Sequence, residues 1–469
     1  MKPSVKPKIY ITILTLLLFL LFIPISEAGL RERAFETTLT NGLKVILLED
    51  HKAPLITFHV WYRVGSRNEA WGKTGLSHTL EHMMFKGTQK VGPEEFSRII
   101  QENGGNNNAF TSRDYTAYFE NLSADRAQVA LDLESDRMQN LLLREEDFRT
   151  ERMVVMEERR LRTEDSPAAI LQEQLEATAF QLQPYHWPII GWMEDIARFT
   201  LDDLKAHYRT YYQPANAFLV VVGDFKQEDL LPRIEKAFGS YPKGVAPNQE
   251  KDIDPKQIGE RRVLVKKEAQ LPSIVMGYHV PNLRGPDSPD NHDSYVLEVI
   301  SAILSGGKSS RFYQSLVREK RLVLSADADY SLLSKDPSLF YLSADLLPGK
   351  DMAEVEKALN QEVERLQEER VGEPELEKVK NQLEASFVFG QDSLFYQALL
   401  LARFEITLSW REIDNYIPSI RKVSPADIQR VSKQYLVPDN RTVGILIPLP
   451  PKEGETAPAG SSIKEQMIR

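Results

Sequence analysis

Residues 75–88 read Gly75-Leu76-Ser77-His78-Thr79-Leu80-Glu81-His82-Met83-Met84-Phe85-Lys86-Gly87-Thr88. Within them His78, Glu81 and His82 spell H-x-x-E-H, the inverted form of a zinc-hydrolase helix pattern. On a helix, side chains four apart stand one above the other, so both imidazoles can reach one metal ion from the same face. Glu81 sits beside them, placed to act on water at that metal. Gly75 leads into the helix, which runs towards Met84, and Lys86-Gly87-Thr88 closes it.

A hydrolytic zinc centre needs three protein ligands and one open position. The chain has no cysteine, so a carboxylate is the natural third ligand. In Glu151-Arg152-Met153-Val154-Val155-Met156-Glu157-Glu158, the glutamates 151 and 158 are two helical turns apart and share a face, while Glu157 points about 100° away. A charged helix of this kind is also what an ordinary solvated surface looks like. The remaining histidines, His51, His59, His186, His207, His279 and His292, lack paired spacing and read as structural.

With 469 residues, 42% of them hydrophobic, the chain exceeds what one core serves, and at least two domains are expected. Lys2, Lys6 and Lys8 precede a mostly apolar run from Ile9 to Ile25, and Ser26-Glu27-Ala28 offers a cleavage site. Residues 1–28 therefore read as a signal peptide, and the protein as exported, most simply to a periplasm. The alternative is an uncleaved anchor, but 17 residues containing Tyr10, Thr12, Thr15 and Pro24 are short for a span. Without that segment the formal charge moves from −10 to −12, since three lysines and Glu27 leave with it. An acidic chain is a poor partner for nucleic acid.

Phe35–Leu48 alternates as two strands about a turn at Asn41-Gly42, and Leu55–Val64 reads as a third strand. Pro93–Gln101 has a helical pattern, Ala109–Phe119 reads as one strand, and Ala124 to about Leu161 as one helical stretch. At an offset of 224 the chain repeats itself. Thr200, Asp203, Leu204, Tyr211, Pro214 and Asn216 correspond to Ser424, Asp427, Ile428, Tyr435, Pro438 and Asn440. Each copy is a capped helix, a Pro-x-Asn turn and an apolar strand. The same offset carries His78 to Ala302 and His82 to Gly306, so the second copy has no metal pattern. The expectation is an α+β protein of two homologous tandem α/β domains, each a mixed, largely antiparallel sheet packed with helices. A metal-binding domain would span 29–240, a Pro- and Gly-bearing linker 241–259, a domain without a metal site 260–448, and a disordered tail 449–469.

These residues, taken together, resemble the pitrilysin/insulinase family of zinc metallopeptidases, most closely its short bacterial members similar to the mitochondrial processing peptidase. The matching stretches are Val64-Gly65-Ser66-Arg67-Asn68-Glu69, residues 75–88, Asn108-Ala109-Phe110-Thr111, Glu151-Arg152 through Glu158, Val222-Gly223-Asp224, Gly306 to Arg311 and Arg318-Glu319-Lys320, across residues 35–447. The resemblance implies that His78, His82 and Glu158 hold Zn2+, that Glu81 is the general base, and that Glu151 supports the site from behind. It selects Glu158 over Glu157. It also implies that Asn108 and Ala109 begin an edge strand to which substrate adds, and that Arg318 helps hold substrate. The implied activity is endopeptidase cleavage of peptides or unfolded polypeptides inside a clamshell, of which this chain would form half. The resemblance also admits a non-catalytic assembly subunit, since some relatives have lost hydrolysis. One departure stands out: the tyrosine that the family places seven residues after the arginine is here Ser325, and Leu322 replaces the usual glycine. That pattern implies a zinc-bearing subunit paired with a zinc-free homologous partner that supplies the arginine and tyrosine; the alternative is a homodimer that works without the tyrosine.

Overall fold

The computed structural model describes residues 29–450, apart from 250–252, 285–287 and 289–290. The expected signal peptide, and all of the expected tail beyond residue 450, lie outside the described residues. The first half builds β1 (Ala34–Thr38), β2 (Lys44–Glu49), β3 (Leu55–Tyr62), β4 (Asn106–Thr111), β5 (Thr116–Ser123) and β6 (Ala217–Gly223). The second builds β7 (Arg261–Glu268), β8 (Ser273–Val280), β9 (Val323–Asp329), β10 (Ser338–Leu346) and β11 (Arg441–Leu449).

The sheet orders are β1-β2-β6-β3-β5-β4 and β7-β11-β8-β10-β9. Setting β1 aside, the two orders are the same, and each sheet has one parallel pair, β2 with β6 and β7 with β11. Every other pairing is antiparallel, so the fold is α+β with two mixed, largely antiparallel sheets packed with helices. The repeat recurs in atomic detail. The helices Leu201–Tyr211 and Pro425–Tyr435 both carry a complete capping box, Thr200 with Asp203 and Ser424 with Asp427. In each copy the asparagine of the Pro-x-Asn turn donates to the carbonyl of the tyrosine five residues back, at 2.9 Å.

The halves exchange helices. Pro167–Ala179 belongs to the first half by sequence, yet Leu171, Leu175 and Ala179 pack with Val265, Val275, Leu339 and Leu446 of the second sheet. Glycine makes room for it: a β carbon on Gly444 would stand 3.1 Å from Leu171 and 3.3 Å from Leu175. In return, Leu394–Thr407 of the second half lies on β3 and β6, with Phe395 in its first turn against Phe119 and His59. The strand β6, between β2 and β3, is apolar throughout, and all seven of its residues are buried. Full burial of Leu171 and Leu175 alone contributes roughly 3–6 kcal/mol. That rivals the net stability of a small domain, so the two halves hold one another in register.

Two expectations about local structure need correction. Ala109–Phe119 is not one strand. It is the end of β4, a turn at 112–115 and the start of β5, with Ser112 N donating to the Tyr115 carbonyl at 2.8 Å. The apolar residues on either side hid a turn written in Ser112-Arg113-Asp114. The stretch from Ala124 to Leu161 is likewise two helices, Ala127–Asn140 and Glu145–Arg159. Leu141 turns extended, and Leu142 N donates to the Gly87 carbonyl at 3.0 Å, a tertiary bond that competes with continuing the helix. No helix or strand lies between Phe238 and Arg261 among the described residues, the region that includes the expected linker.

Candidate metal centre

The motif helix runs Leu76–Met83, and its start is fixed by three contacts. Gly75 has φ +90° and touches Gly191 so closely that a β carbon there would meet the Ile190 carbonyl at 2.5 Å. The buried Glu69 carboxylate accepts from Gly75 N at 2.7 Å and Ser77 N at 2.6 Å, covering backbone donors that a helix start leaves bare. Ser77 Oγ meets His207 Nε2 at 3.1 Å, tying the helix to Leu201–Tyr211. Leu76, Leu80 and Met83 face the core, which turns His78 and His82 the other way.

The two imidazole rings lie 4.7 Å apart, and the helix Glu145–Arg159 brings its C-terminal end to them. Glu158 Oε2 stands 3.3 Å from His82 Nε2 and 3.7 Å from His78 Nε2. His78, His82 and Glu158 form a group whose ligand atoms all lie within 4.8 Å of one another, and it is the one such three-residue group among the described residues. Ligands about 2.0–2.1 Å from a tetrahedral zinc stand roughly 3.3–3.4 Å apart, so two nitrogens and one oxygen at these separations fit that ion. Glu157 turns out to solvent and pairs with Arg160, as its helical angle requires.

A further layer of contacts fixes these side chains. His82 Nδ1 donates to Glu151 Oε1 at 2.8 Å, which aims Nε2 at Glu158, and Glu151 Oε2 accepts from Lys86 Nζ at 2.6 Å. Arg162 NH1 reaches Glu158 Oε1 at 2.6 Å and leaves Oε2 to the histidines. The buried Nδ1 of His78 has no hydrogen-bond partner. Glu81 Oε2 accepts from the hydroxyl of Thr111, the last residue of β4, at 2.5 Å.

The electrostatics are those of ionisable side chains crowded together. Burial, aided by the positive His82, lowers the His78 imidazole to about 4. Burial also works against a charged His82, but hydrogen bonds to Glu151 and Glu158 outweigh it and hold that ring at about 9. For Glu158, burial pushes upward and loses to His82 and His78, which bring the carboxyl to about 2. Glu81 is pushed above the usual carboxylate range by burial, with Thr111 pulling the other way. A carboxylate whose proton affinity rises towards working pH suits general-base duty.

Five of the residues singled out in the sequence, His78, Glu81, His82, Glu151 and Glu158, thus meet in one place. Asn108 and Ala109 lie on β4, the open edge of the first sheet. Ala109 shares its face with Thr111, roughly 7 Å along the strand. Arg318 is outside this cluster, exposed in a π-helical turn of the second half, Tyr313–Glu319. Ser325 is on β9 and donates to Asp345 at 2.9 Å. The other six histidines also lie outside the metal-ligand group. Sequence reasoning missed Glu69, Lys86, Thr111 and Arg162. Only Arg162 carried a local signal, its i,i+4 spacing from Glu158.

Residues 44–191 match the family described as Insulinase (Peptidase family M16), and residues 198–383 the one described as Peptidase M16 inactive domain. Zinc protease PqqE of Helicobacter pylori is 34% identical over 419 residues, covering 88% of this chain and 92% of that protein. An uncharacterized zinc protease of Streptomyces coelicolor is 27% identical, over 85% of this chain and 86% of its own. The crystal structure of a protease from Helicobacter pylori superposes with a TM-score of 0.84 at 34% identity, covering 88% of this chain and 99% of that one. The periplasmic protease PqqL from Escherichia coli shares the fold, with a TM-score of 0.73 at 18% identity, over 90% of this chain and 48% of its own. With a third of its residues shared along nearly the whole of a zinc protease, and the same fold, this chain belongs to the insulinase family of peptidases, M16.

Proposed function

We propose that the protein is a zinc metalloendopeptidase that cleaves peptides or unfolded polypeptides and is exported, with His78, His82 and Glu158 as the ligands and Glu81 as the base. The observation that carries this is the meeting of His78, His82 and Glu158 at zinc-ligand separations, beside a base tied to an open strand edge. Zinc bound there would supply Lewis acidity, polarising the scissile carbonyl and making a bound water acidic. Glu81 takes the proton from the attacking water and returns it to the leaving amine. Glu151 keeps His82 turned inward. The edge of β4 offers backbone donors and acceptors to an extended peptide, starting at Asn108 and Ala109. Such recognition requires an unfolded segment, because a folded substrate has no free strand to add.

The reading includes a dimer in which a zinc-free homologous subunit completes the substrate-holding site. Ser325 in place of tyrosine supports it, as does the length of the PqqL chain, of which this chain matches about half. Arg318, exposed and outside the metal cluster, would take part from the second half of this chain. Among the described residues no helix is long and apolar enough to cross a membrane.

The test is Glu81→Gln in the purified protein, alone and with its homologous partner subunit, assayed on a quenched unfolded peptide. Wild type should bind zinc and lose activity to a chelator. The variant should keep its zinc while kcat falls by about 10²–10⁴. Loss of zinc from the variant would remove Glu81 from the base role, and a zinc-loaded wild type that cleaves nothing in either setting would end the peptidase reading.

A further inference from the structure

The contact between Thr111 and Glu81 crosses from the edge strand to the motif helix, and the hydroxyl has little else to do. Its second neighbour, Thr116 Oγ1, is 3.5 Å away, and Thr116 spends its own proton on the Val64 carbonyl at 2.9 Å. The Thr111 proton therefore goes to Glu81 Oε2, at 2.5 Å. Thr111 is itself held hard. It faces Thr116 across the β4–β5 ladder and begins the turn at 112–115, whose backbone and side chains are clamped on both sides. Ser66 N and Arg67 N donate to the carbonyls of Ser112 and Arg113 at 3.2 and 2.9 Å. Asp114 accepts from Tyr185 Oη at 2.6 Å and from Lys335 N, in the second half, at 3.0 Å. Arg67 reaches the neighbouring Asp336 at 2.8 Å.

We infer that Thr111 is a positioning residue for the general base: its hydroxyl fixes the Glu81 carboxylate against the end of the strand that offers its edge to the peptide. This rests on Glu81 being the base. The consequence is that base and substrate strand share one rigid element, and that the half without a metal site steadies the base through Asp114 and Asp336. A glutamate side chain left to its own rotamers would reach the productive position only part of the time.

The test compares Thr111→Val, which keeps shape and removes the hydroxyl, with Thr111→Ser, which keeps the hydroxyl. Zinc content and the unfolding midpoint are measured alongside kcat and KM. Thr111→Val should lower kcat about 10–100-fold, with KM within about twofold and zinc retained. Thr111→Ser should recover kcat to within about threefold of wild type. Equal loss in both variants, unchanged kcat in Thr111→Val, or a rise in KM alone would each overturn the inference. A crystal structure of each zinc-loaded variant gives a reading independent of turnover. The Glu81 carboxylate should leave its place in Thr111→Val and keep it in Thr111→Ser, and an unmoved Glu81 in Thr111→Val refutes the proposal even if the wild type proves inactive.

Discussion

Replacing Glu158 by glutamine should cost at least 100-fold in zinc affinity, while the same change one residue earlier, at Glu157, should leave it unchanged within about twofold. The difference comes from where the two carboxylates point. Glu158 Oε1 is held by the Arg162 guanidinium at 2.6 Å, and a guanidinium can only donate. In Glu158→Gln the amide oxygen must therefore take that place, which turns the amide NH2 towards His78 Nε2 and His82 Nε2. A donor then stands where a lone pair is needed, and the site loses its one anionic ligand. Removing a partner behind a ligand typically costs 10–100-fold, so losing the ligand itself should exceed the upper end, about 2.7 kcal/mol at 1.36 kcal/mol per decade. Glu157 is half exposed and, among the described residues, pairs with Arg160, an interaction worth about 0–1 kcal/mol to stability and touching neither histidine. Affinity is read by titrating zinc against a competing chromophoric chelator. Zinc-tight Glu158→Gln together with zinc-weak Glu157→Gln would refute the geometric reasoning, and equal weakening in both would deny that one carboxylate is selected.

Glu151→Ala should weaken zinc by about 10–100-fold, because it frees the His82 ring and leaves the Lys86 ammonium without its anion; unchanged affinity on chelator titration would remove Glu151 from the supporting role. Acid should destabilise the metal-free protein well above the carboxylate range. His59 lies buried in the first sheet, and burial alone depresses its imidazole to about 3, against about 6.5 when unfolded. The folded state thus binds fewer protons than the unfolded one between pH 6.5 and 3, so this contribution is whole above pH 6.5 and falls as pH drops, by about 2 kcal/mol at pH 5. The fall in unfolding free energy from pH 7.5 to pH 5, read by denaturant titration, should be smaller by that amount in His59→Gln, and parallel losses in variant and wild type would contradict it.

Much of the site was legible because its first part is local. His78 and His82 need only a helix to share a face, and residues 76–83 supply one. The duplication was legible for the same reason: capping boxes and Pro-x-Asn turns are written within a few residues, and both copies form them. Errors came where a tertiary contact overrode local pattern. The Gly87 carbonyl takes Leu142 N and splits one helical stretch in two, and the turn at 112–115 hides between apolar runs. Thr111 carried no sign of its partner, since Glu81 is thirty residues away and on another element.

By itself, the sequence determined a duplicated α+β chain with a paired-histidine helix in its first half and none in its second, because periodicity, caps and i,i+4 spacing are properties of neighbouring residues. Only the tertiary structure decided which oxygen faces the histidines, which strand end holds Glu81, and that each sheet is covered by a helix from the opposite half. Those choices depend on side-chain direction and on burial between distant segments, and a linear order of residues does not contain them until the chain has packed.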